Sequence, residues 1–165
     1  MDQDLADVID ATRPDQLRAL SHPLRNRILT SLDRDGATIS QLANRLRINK
    51  GNVAHHLGVL VSAGLVRKGR TRTVRGGTEQ YFQPVGRRVR FGTGPDGAPI
   101  RAMLATVADE IPPDDHLLNL RHLRLTANQA AALSDHLEKL ITDLRPAGPR
   151  ELEHGVIVGV WRKAE

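Results

Sequence analysis

Apolar residues recur at helical spacing through the first third of the chain and predict four short helices. Thr12 and Pro14 open a brief helix that runs to Leu20. Ser21 is a candidate N-cap for a second helix, in whose first turn Pro23 is tolerated, and Gly36 is the expected stop. The apolar stripe of that second helix consists of Leu24, Ile28, Leu29 and Leu32.

The next two predicted helices, 40–47 and 50–63, are separated by only two residues. Asn49 is a good N-cap for the later helix, and Gly64 is its expected stop. Ala43 falls at the small-residue position of a helix-turn-helix, where two helices cross closely. The apolar positions around it are Leu42, Leu46, Ile48 and Val53.

The pattern then changes to the alternation of strands. Runs over 65–75 and 78–85 flank Gly76-Gly77, a dipeptide that suits a two-residue hairpin loop and would place Arg75 opposite Thr78 and Arg72 opposite Tyr81. Gly, Pro and Arg dominate 86–99, which is the best linker candidate, and a helix is predicted over 100–110.

The last 50 residues predict a strand, a helix and a second strand. Residues 116–125 alternate with a break near His122, Thr126 and Gln129 form a capping box for a long amphipathic helix, and 155–162 are a short apolar run. A unit this small would not bury its apolar face alone, so we expect it to pack on a partner, with a second copy as one candidate.

The expected fold class is therefore α+β. A winged helix-turn-helix domain (1–85) is followed by a linker and helix (86–115) and a C-terminal α/β region for dimerisation or effector binding (116–165). The chain has no cysteine, which excludes disulfides, thiolate metal sites and cysteine nucleophiles. Its short apolar runs and acidic start indicate a soluble, cytoplasmic protein without a membrane segment.

Charge is distributed unevenly along the chain. Residues 41–90 hold eleven lysines and arginines against one acid, Glu79, a local net charge of +10 in a chain whose total is +5. The remainder is therefore acidic. A basic block of this kind is typical of a polyanion-binding surface, because each neutralised phosphate releases condensed counterions.

Helical phase separates the two neighbouring histidines of the 50–63 helix. Val53, Leu57 and Leu60 define the core side, so that His55 points outward and His56 lies on the flank of the apolar stripe. Recognition helices meet base edges with the N-terminal half of the outward face. The candidate DNA contacts there, together with two at the start of the preceding helix, are Ser40, Gln41, Asn49, Lys50, Gly51, Asn52 and His55.

The hairpin supplies a second set of candidate DNA contacts. Arg70, Arg72 and Arg75 approach or occupy the predicted tip, where arginines suit phosphates or a narrow minor groove. Tyr81 and Phe82 could stack on bases, but packing in the sheet is the favoured interpretation.

The first half of the chain, to residue 85, resembles the ArsR-type winged helix-turn-helix transcriptional regulators of prokaryotes. The segments that carry the resemblance, in order, are LRALSHPLRNRIL (17–29), ISQLANRL (39–46), NKGNVAHHLGVLVSAGLV (49–66) and GRTRTVRGGTEQYF (69–82). The C-terminal half is similar to the extra α/β region of larger members. The resemblance implies a homodimer that binds double-stranded DNA near a promoter, as a repressor, with a small-molecule inducer as a further partner.

The sequence departs from that family in two places. Arg47 stands where a helix-turn-helix often has a left-handed glycine, which predicts either another turn type or about 1 kcal/mol of strain. Neither the cysteines nor the spaced His/Asp pairs of the metal-sensing members match.

The chemistry of other function classes is poorly represented. His55 and His56 diverge by 100° on a helix, which does not suit two ligands of one metal ion. The acidic pairs 109–110 and 114–115 have no partnered nucleophile. No catalytic residue, metal or cofactor is therefore predicted. Two alternatives stay open: a protein-interaction module built on a winged helix, and a non-catalytic dimerisation subunit of an enzyme.

Overall fold

The computed structural model describes residues 6–91, 97–112, 114, 117, 119–145, 147, 151, 152 and 154–162. The chain divides into two compact units, Met1–Ile111 and Pro112–Glu165. Mixed helices and small sheets give the α+β class that the sequence predicts.

Four helices form the centre of the first unit: α1 (Pro14–Leu20), α2 (Pro23–Thr30), α3 (Ile39–Leu46) and α4 (Lys50–Ser62). The predicted starts of α1 and α2 were each wrong by one residue, since their N-caps are Arg13 and His22. Ser21 instead ends α1, and its hydroxyl donates to the carbonyl of Leu17. The second helix ends at Thr30, before the predicted stop, and Gly36 turns the chain toward the next strand with φ +76°.

Local hydrogen bonds determine where α3 begins and ends. Thr38 and Gln41 form a capping box, in which the Thr38 hydroxyl accepts from the Gln41 amide and the Gln41 side chain accepts from the Thr38 amide. Arg47 terminates the helix in the left-handed conformation (φ 54°, ψ 44°). The turn therefore is of the glycine type, with an arginine in the strained position.

The apolar faces of these helices meet in one core. The largest fully buried side chains are Leu20, Ile28, Leu42, Val53, Leu57, Leu60, Leu65 and Val66. Ala43 is 5% exposed at the crossing of α3 and α4, as a small residue between two closely packed helices should be. The predicted apolar positions include five of these side chains, Ile28, Leu42, Val53, Leu57 and Leu60, but not Leu20, Leu65 or Val66. Leu24 and Leu29 of the predicted α2 stripe are only half-buried.

An antiparallel hairpin follows α4, with β3 (Val66–Val74) paired to β4 (Gly77–Pro84) and the two-residue β2 (Ala37–Thr38) on the outer side of β4. The predicted register was wrong: Val74 pairs with Gly77 and Arg72 with Glu79, so the loop is Arg75-Gly76. The second loop position needs a positive φ, which Gly76 supplies at +102°. An irregularity between Lys68 and Thr71 shifts the rest of the ladder.

Two elements of the first unit, a strand and a helix, have partners that the sequence did not predict. The segment interpreted as a linker begins with a strand, β5 (Gly86–Phe91), which pairs in parallel with β1 (Ala6–Ala11). The next helix, α5 (Ala98–Glu110), packs on α1 and α2, and the Thr106 hydroxyl donates to the Pro23 carbonyl at 3.3 Å. The division into 1–85, 86–115 and 116–165 by function stays a prediction.

The second unit contains one described helix, α6 (Ala127–Asp143), which starts at the predicted capping box of Thr126 and Gln129. The predicted flanking strands were wrong for the described residues of 117–125 and 154–162, which form no strand. A strand exists only where a neighbour completes its hydrogen bonds, and alternation of side chains does not supply one. Over the described part of the chain, no helix is long and apolar enough to cross a membrane.

Candidate nucleic-acid interface

The outward face of α4 is polar, with side chains that are small in its C-terminal half. Val53, Leu57 and Leu60 are at most 1% exposed on the core side. The exposed residues on the other side are Lys50, Gly51, Asn52, Ala54, His55, Gly58 and Ser62. The predicted helical phase is confirmed: His55 is exposed, whereas His56 is half-buried.

The N-terminus of α4 is held by its cap. The Asn49 Oδ1 accepts from the Asn52 amide at 2.8 Å, as predicted for an N-cap. A Cβ atom on Gly51 would lie 3.3 Å from that same oxygen, so the glycine leaves room for the cap. The Asn52 side chain is exposed beside it, while part of the hydrogen-bonding capacity of Asn49 is used inside the protein.

Three histidines cluster where α4 meets the start of α2. The rings of His22 and His56 have centroids 4.7 Å apart, and those of His55 and His56 are 5.2 Å apart. His22 Nδ1 accepts from the Leu24 amide at 3.2 Å, which caps α2 and requires an unprotonated Nδ1. His22 and Pro23 therefore form the start of α2, with His22 as its N-cap.

The environment of this cluster disfavours protonation. Burial lowers the pKa of His22, and the positive charge of Arg25 lowers it further. Burial likewise lowers the pKa of His56, with His22 and Arg25 as the next causes. The His56 Nδ1 is buried without a hydrogen-bond partner. Within the described residues, no group of three or more His, Asp or Glu side chains is arranged to hold a metal ion.

The two predicted contacts on α3 lie at its start. Ser40 is half-buried and Gln41 is exposed. The Gln41 side-chain oxygen is engaged by the Thr38 amide at 2.9 Å, which leaves its amide group for an external acceptor. This capping box was readable from the sequence as Thr-x-x-Gln.

The hairpin arginines occupy three different environments. The Arg70 guanidinium lies 4.5 Å from the centroid of the Tyr81 ring, and Arg72 pairs with Glu79 at 3.5 Å. Arg75 is exposed in the loop. Tyr81 and Phe82 are 6% and 7% exposed, so the packing role predicted for both aromatics is confirmed.

A cleft beside α4 contains residues that sequence reasoning missed. It has a volume of about 670 Å³ and lies between α1 and α4, with Arg18 and Arg25 among its lining residues. Its two sides are more than 30 positions apart in the chain, and neither arginine belongs to the basic block. No local pattern could have identified it, because only packing brings the helices together.

The comparison with known families agrees with this geometry. Residues 20–69, from the end of α1 into β3, match the family model of a helix-turn-helix domain. No curated protein matches the chain. The chain therefore carries a helix-turn-helix domain of the DNA-binding kind, and α4 is the helix that follows its turn.

Proposed function

We propose that the protein is a sequence-specific, double-stranded-DNA-binding transcriptional regulator of the winged helix-turn-helix type, similar to ArsR proteins, and that it acts as a dimeric repressor. The observation that carries the proposal is the exposed polar face of α4, from Lys50 to His55, directly after the helix-turn-helix turn. A helix of about 10–12 Å diameter fits the major groove of B-DNA.

The assignments on α4 follow from side-chain chemistry. Asn52 can pair with the N6 and N7 edge of adenine, and Lys50 can donate to guanine or to a phosphate. His55, one turn later on the same face, can donate to or accept from a base edge. The β3–β4 hairpin serves as the wing, with Arg75 toward adjacent phosphates or a minor groove. Arg70 and Arg72, already held by Tyr81 and Glu79, would contact the backbone with less freedom.

The proposed dimer is supported by the second unit. No described residue of Pro112–Glu165 is classed as buried, and Leu117 and Trp161 are 91% and 64% exposed. Apolar side chains in such number require a covering surface, for which a second copy is the proposed source. A twofold dimer would read half-sites about one helical turn apart, roughly 10 bp. The same region is the proposed place for a small-molecule effector.

A salt titration on duplex DNA tests the proposal. Binding should weaken steeply with salt, with a slope of log K against log salt of about −0.9 for each phosphate contacted. Fragments selected from the host genome serve as the specific ligand, and scrambled duplexes of equal length serve as the control. A flat titration, or no binding at all, would refute DNA recognition and favour a protein-interaction module.

Neighbouring substitutions provide a sharper test of the site. His55→Ala should weaken specific binding by about 1–3 kcal/mol with little loss of stability, because His55 is exposed. His56→Ala should instead lower stability, because the ring packs against His22. Equal effects of the two substitutions on DNA affinity and on thermal stability would contradict the assignment of α4.

A further inference from the structure

We propose that the cleft between α1 and α4 is an oxyanion site that holds a phosphate of the DNA backbone, with Arg18 and Arg25 as its cationic ligands. The inference rests on the proposed DNA-binding function and adds a contact outside the basic block. It places part of the DNA interface on α1, which carries Arg18, and on the start of α2, which carries Arg25.

The cleft is lined by small residues and by polar side chains. Its small lining residues include Ala19, Ala54, Gly58 and Ala63. His55, Arg18 and Arg25 line it as well. This combination leaves room for a tetrahedral anion close to the helix backbones and supplies N–H donors to bind it.

Arg25 is preorganised for an anion. Its Nε donates to the carbonyl of Ala19, and its Nη2 donates to that of Arg18 at 2.7 Å. These bonds cap the C-terminus of α1 and hold the planar guanidinium in one orientation without neutralising it. A guanidinium has five N–H donors, so others are left for a ligand. Burial lowers the pKa of Arg25. No carboxylate among the described residues pairs with it.

The carboxylate of Asp15, which lines the cleft, is already paired with an arginine. Asp15 lies 3.1 Å from the guanidinium of Arg13, and this pairing lowers the pKa of Asp15. In the part of the chain that the structure describes, the side chain of Arg18 has no hydrogen bond or ion pair of its own. Once Asp15 and Arg13 are counted as a pair, the cleft keeps two uncompensated positive charges.

Gly58 lines the cleft, and a larger side chain at this position would fill it. A Cβ atom added there would meet nothing within 4 Å, and its backbone is helical. The protein itself does not need a glycine at this site, and helix propensity would favour almost any other residue. A glycine is useful here if another surface must approach closely. Gly58 lies one turn beyond His55 on the outward face, where the DNA strand that borders the major groove would pass.

The first experiment compares Arg18→Gln with Arg101→Gln, an exposed α5 control outside the cleft, in salt titrations on specific and scrambled duplexes. Arg18→Gln should reduce the magnitude of the slope of log K against log salt by about 0.9 on both duplexes. Between 1 M and 0.1 M salt, the Kd of the variant should therefore fall about eightfold less than the Kd of the parent protein. Arg101→Gln should leave the slope unchanged. An unchanged slope for Arg18→Gln, with normal DNA binding by the parent protein, overturns the cleft but leaves the proposed function intact.

The second experiment fills the cleft. Gly58→Leu should keep or raise the melting temperature of the free protein while weakening DNA binding at least tenfold. Gly58→Ala should weaken binding less than Gly58→Leu does, because a methyl group fills less of the cleft than an isobutyl group. Equal affinities of the leucine and alanine variants would overturn the proposal. If the parent protein shows no salt-dependent DNA binding, the proposed function itself fails.

A third measurement distinguishes the source of the oxyanion. Inorganic phosphate is titrated into the DNA-free protein while the His55 ring signals are followed by NMR. No shift up to millimolar phosphate, together with the slope change, assigns the site to backbone phosphate. A saturable shift that Arg18→Gln abolishes, with no change in DNA slope, would overturn the DNA assignment in favour of a free anion.

Discussion

Arg47 offers a quantitative test of the helix-turn-helix turn. It is an arginine with φ 54° and ψ 44°, the only residue other than glycine with positive φ among those that the structure describes. In this conformation an L-residue's Cβ crowds the following carbonyl, at a cost of about 1–2 kcal/mol. Its amide donates to the carbonyls of Ala43 and Asn44, and the Ile48 amide donates to Ala43 at 3.1 Å, so these bonds hold the turn.

Arg47→Gly removes the crowding but gives the unfolded chain more freedom, which costs about 0.4–1 kcal/mol. The net expectation is a gain of about 0.5–1 kcal/mol. Arg47→Ala is the matched control, because it deletes the same side chain while keeping the Cβ atom. Urea unfolding followed by circular dichroism at 222 nm should therefore rank glycine above alanine by about that amount, or about 2–4 °C in melting temperature.

If the alanine variant is as stable as the glycine variant, Arg47 is not strained and the left-handed assignment fails. The DNA affinities of Arg47→Gly and Arg47→Ala are a second, independent measurement. Both variants lack one exposed cation beside α4, so both should lose the same phosphate contact, if Arg47 makes one. A difference in affinity between them would show that the turn geometry also positions α4.

Two further predictions concern the same unit. The pKa of His22 is lowered in the folded state, so its contribution to stability is complete above the unfolded pKa near 6.5 and is lost as pH falls below that value. His22→Asn keeps a capping oxygen but does not titrate, and it should therefore reduce the loss of melting temperature between pH 7.5 and 5.5. An identical loss in the parent protein and the variant would contradict this prediction. Gly36→Ala should lower the free energy of unfolding in urea clearly more than Gly76→Ala does. Both glycines have positive φ, but only a Cβ atom on Gly36 would lie 2.4 Å from the carbonyl oxygen of Phe82. Equal losses of stability would show that this contact relaxes.

The helices of the first unit could be predicted because their determinants are local. The 3.6-residue period separated Val53, Leu57 and Leu60 from His55, and Asn49 was recognisable as a cap. The errors at the starts of α1 and α2 were of one residue, the usual precision of terminal assignments. The start of α3 has a local determinant as well, the reciprocal hydrogen bonds of Thr38 and Gln41.

The strands and the candidate site depended on partners far away in the chain. Residues 6–11 form a strand because 86–91 lie beside them, and the alternation in 116–125 and 155–162 found no such neighbour among the described residues. The hairpin register was decided by the position of the loop, because a loop at Arg75-Gly76 instead of Gly76-Gly77 pairs Arg72 with Glu79 and not with Tyr81. Arg70 and Arg72 were predicted as equivalent contacts, yet packing gave one an aromatic ring and the other a carboxylate.

By itself, the amino-acid sequence determined the helix-turn-helix, the outward face of α4 and the basic balance of 41–90. Hydrogen bonds within one helix, side-chain periodicity and charge count are properties of neighbouring residues. Only the tertiary structure decided that His22 packs against His56, that Arg47 is left-handed, and that Arg18 and Arg25 line a cleft beside α4. Those relations arise when separate helices bury their apolar faces against each other, and no short stretch of the chain contains them.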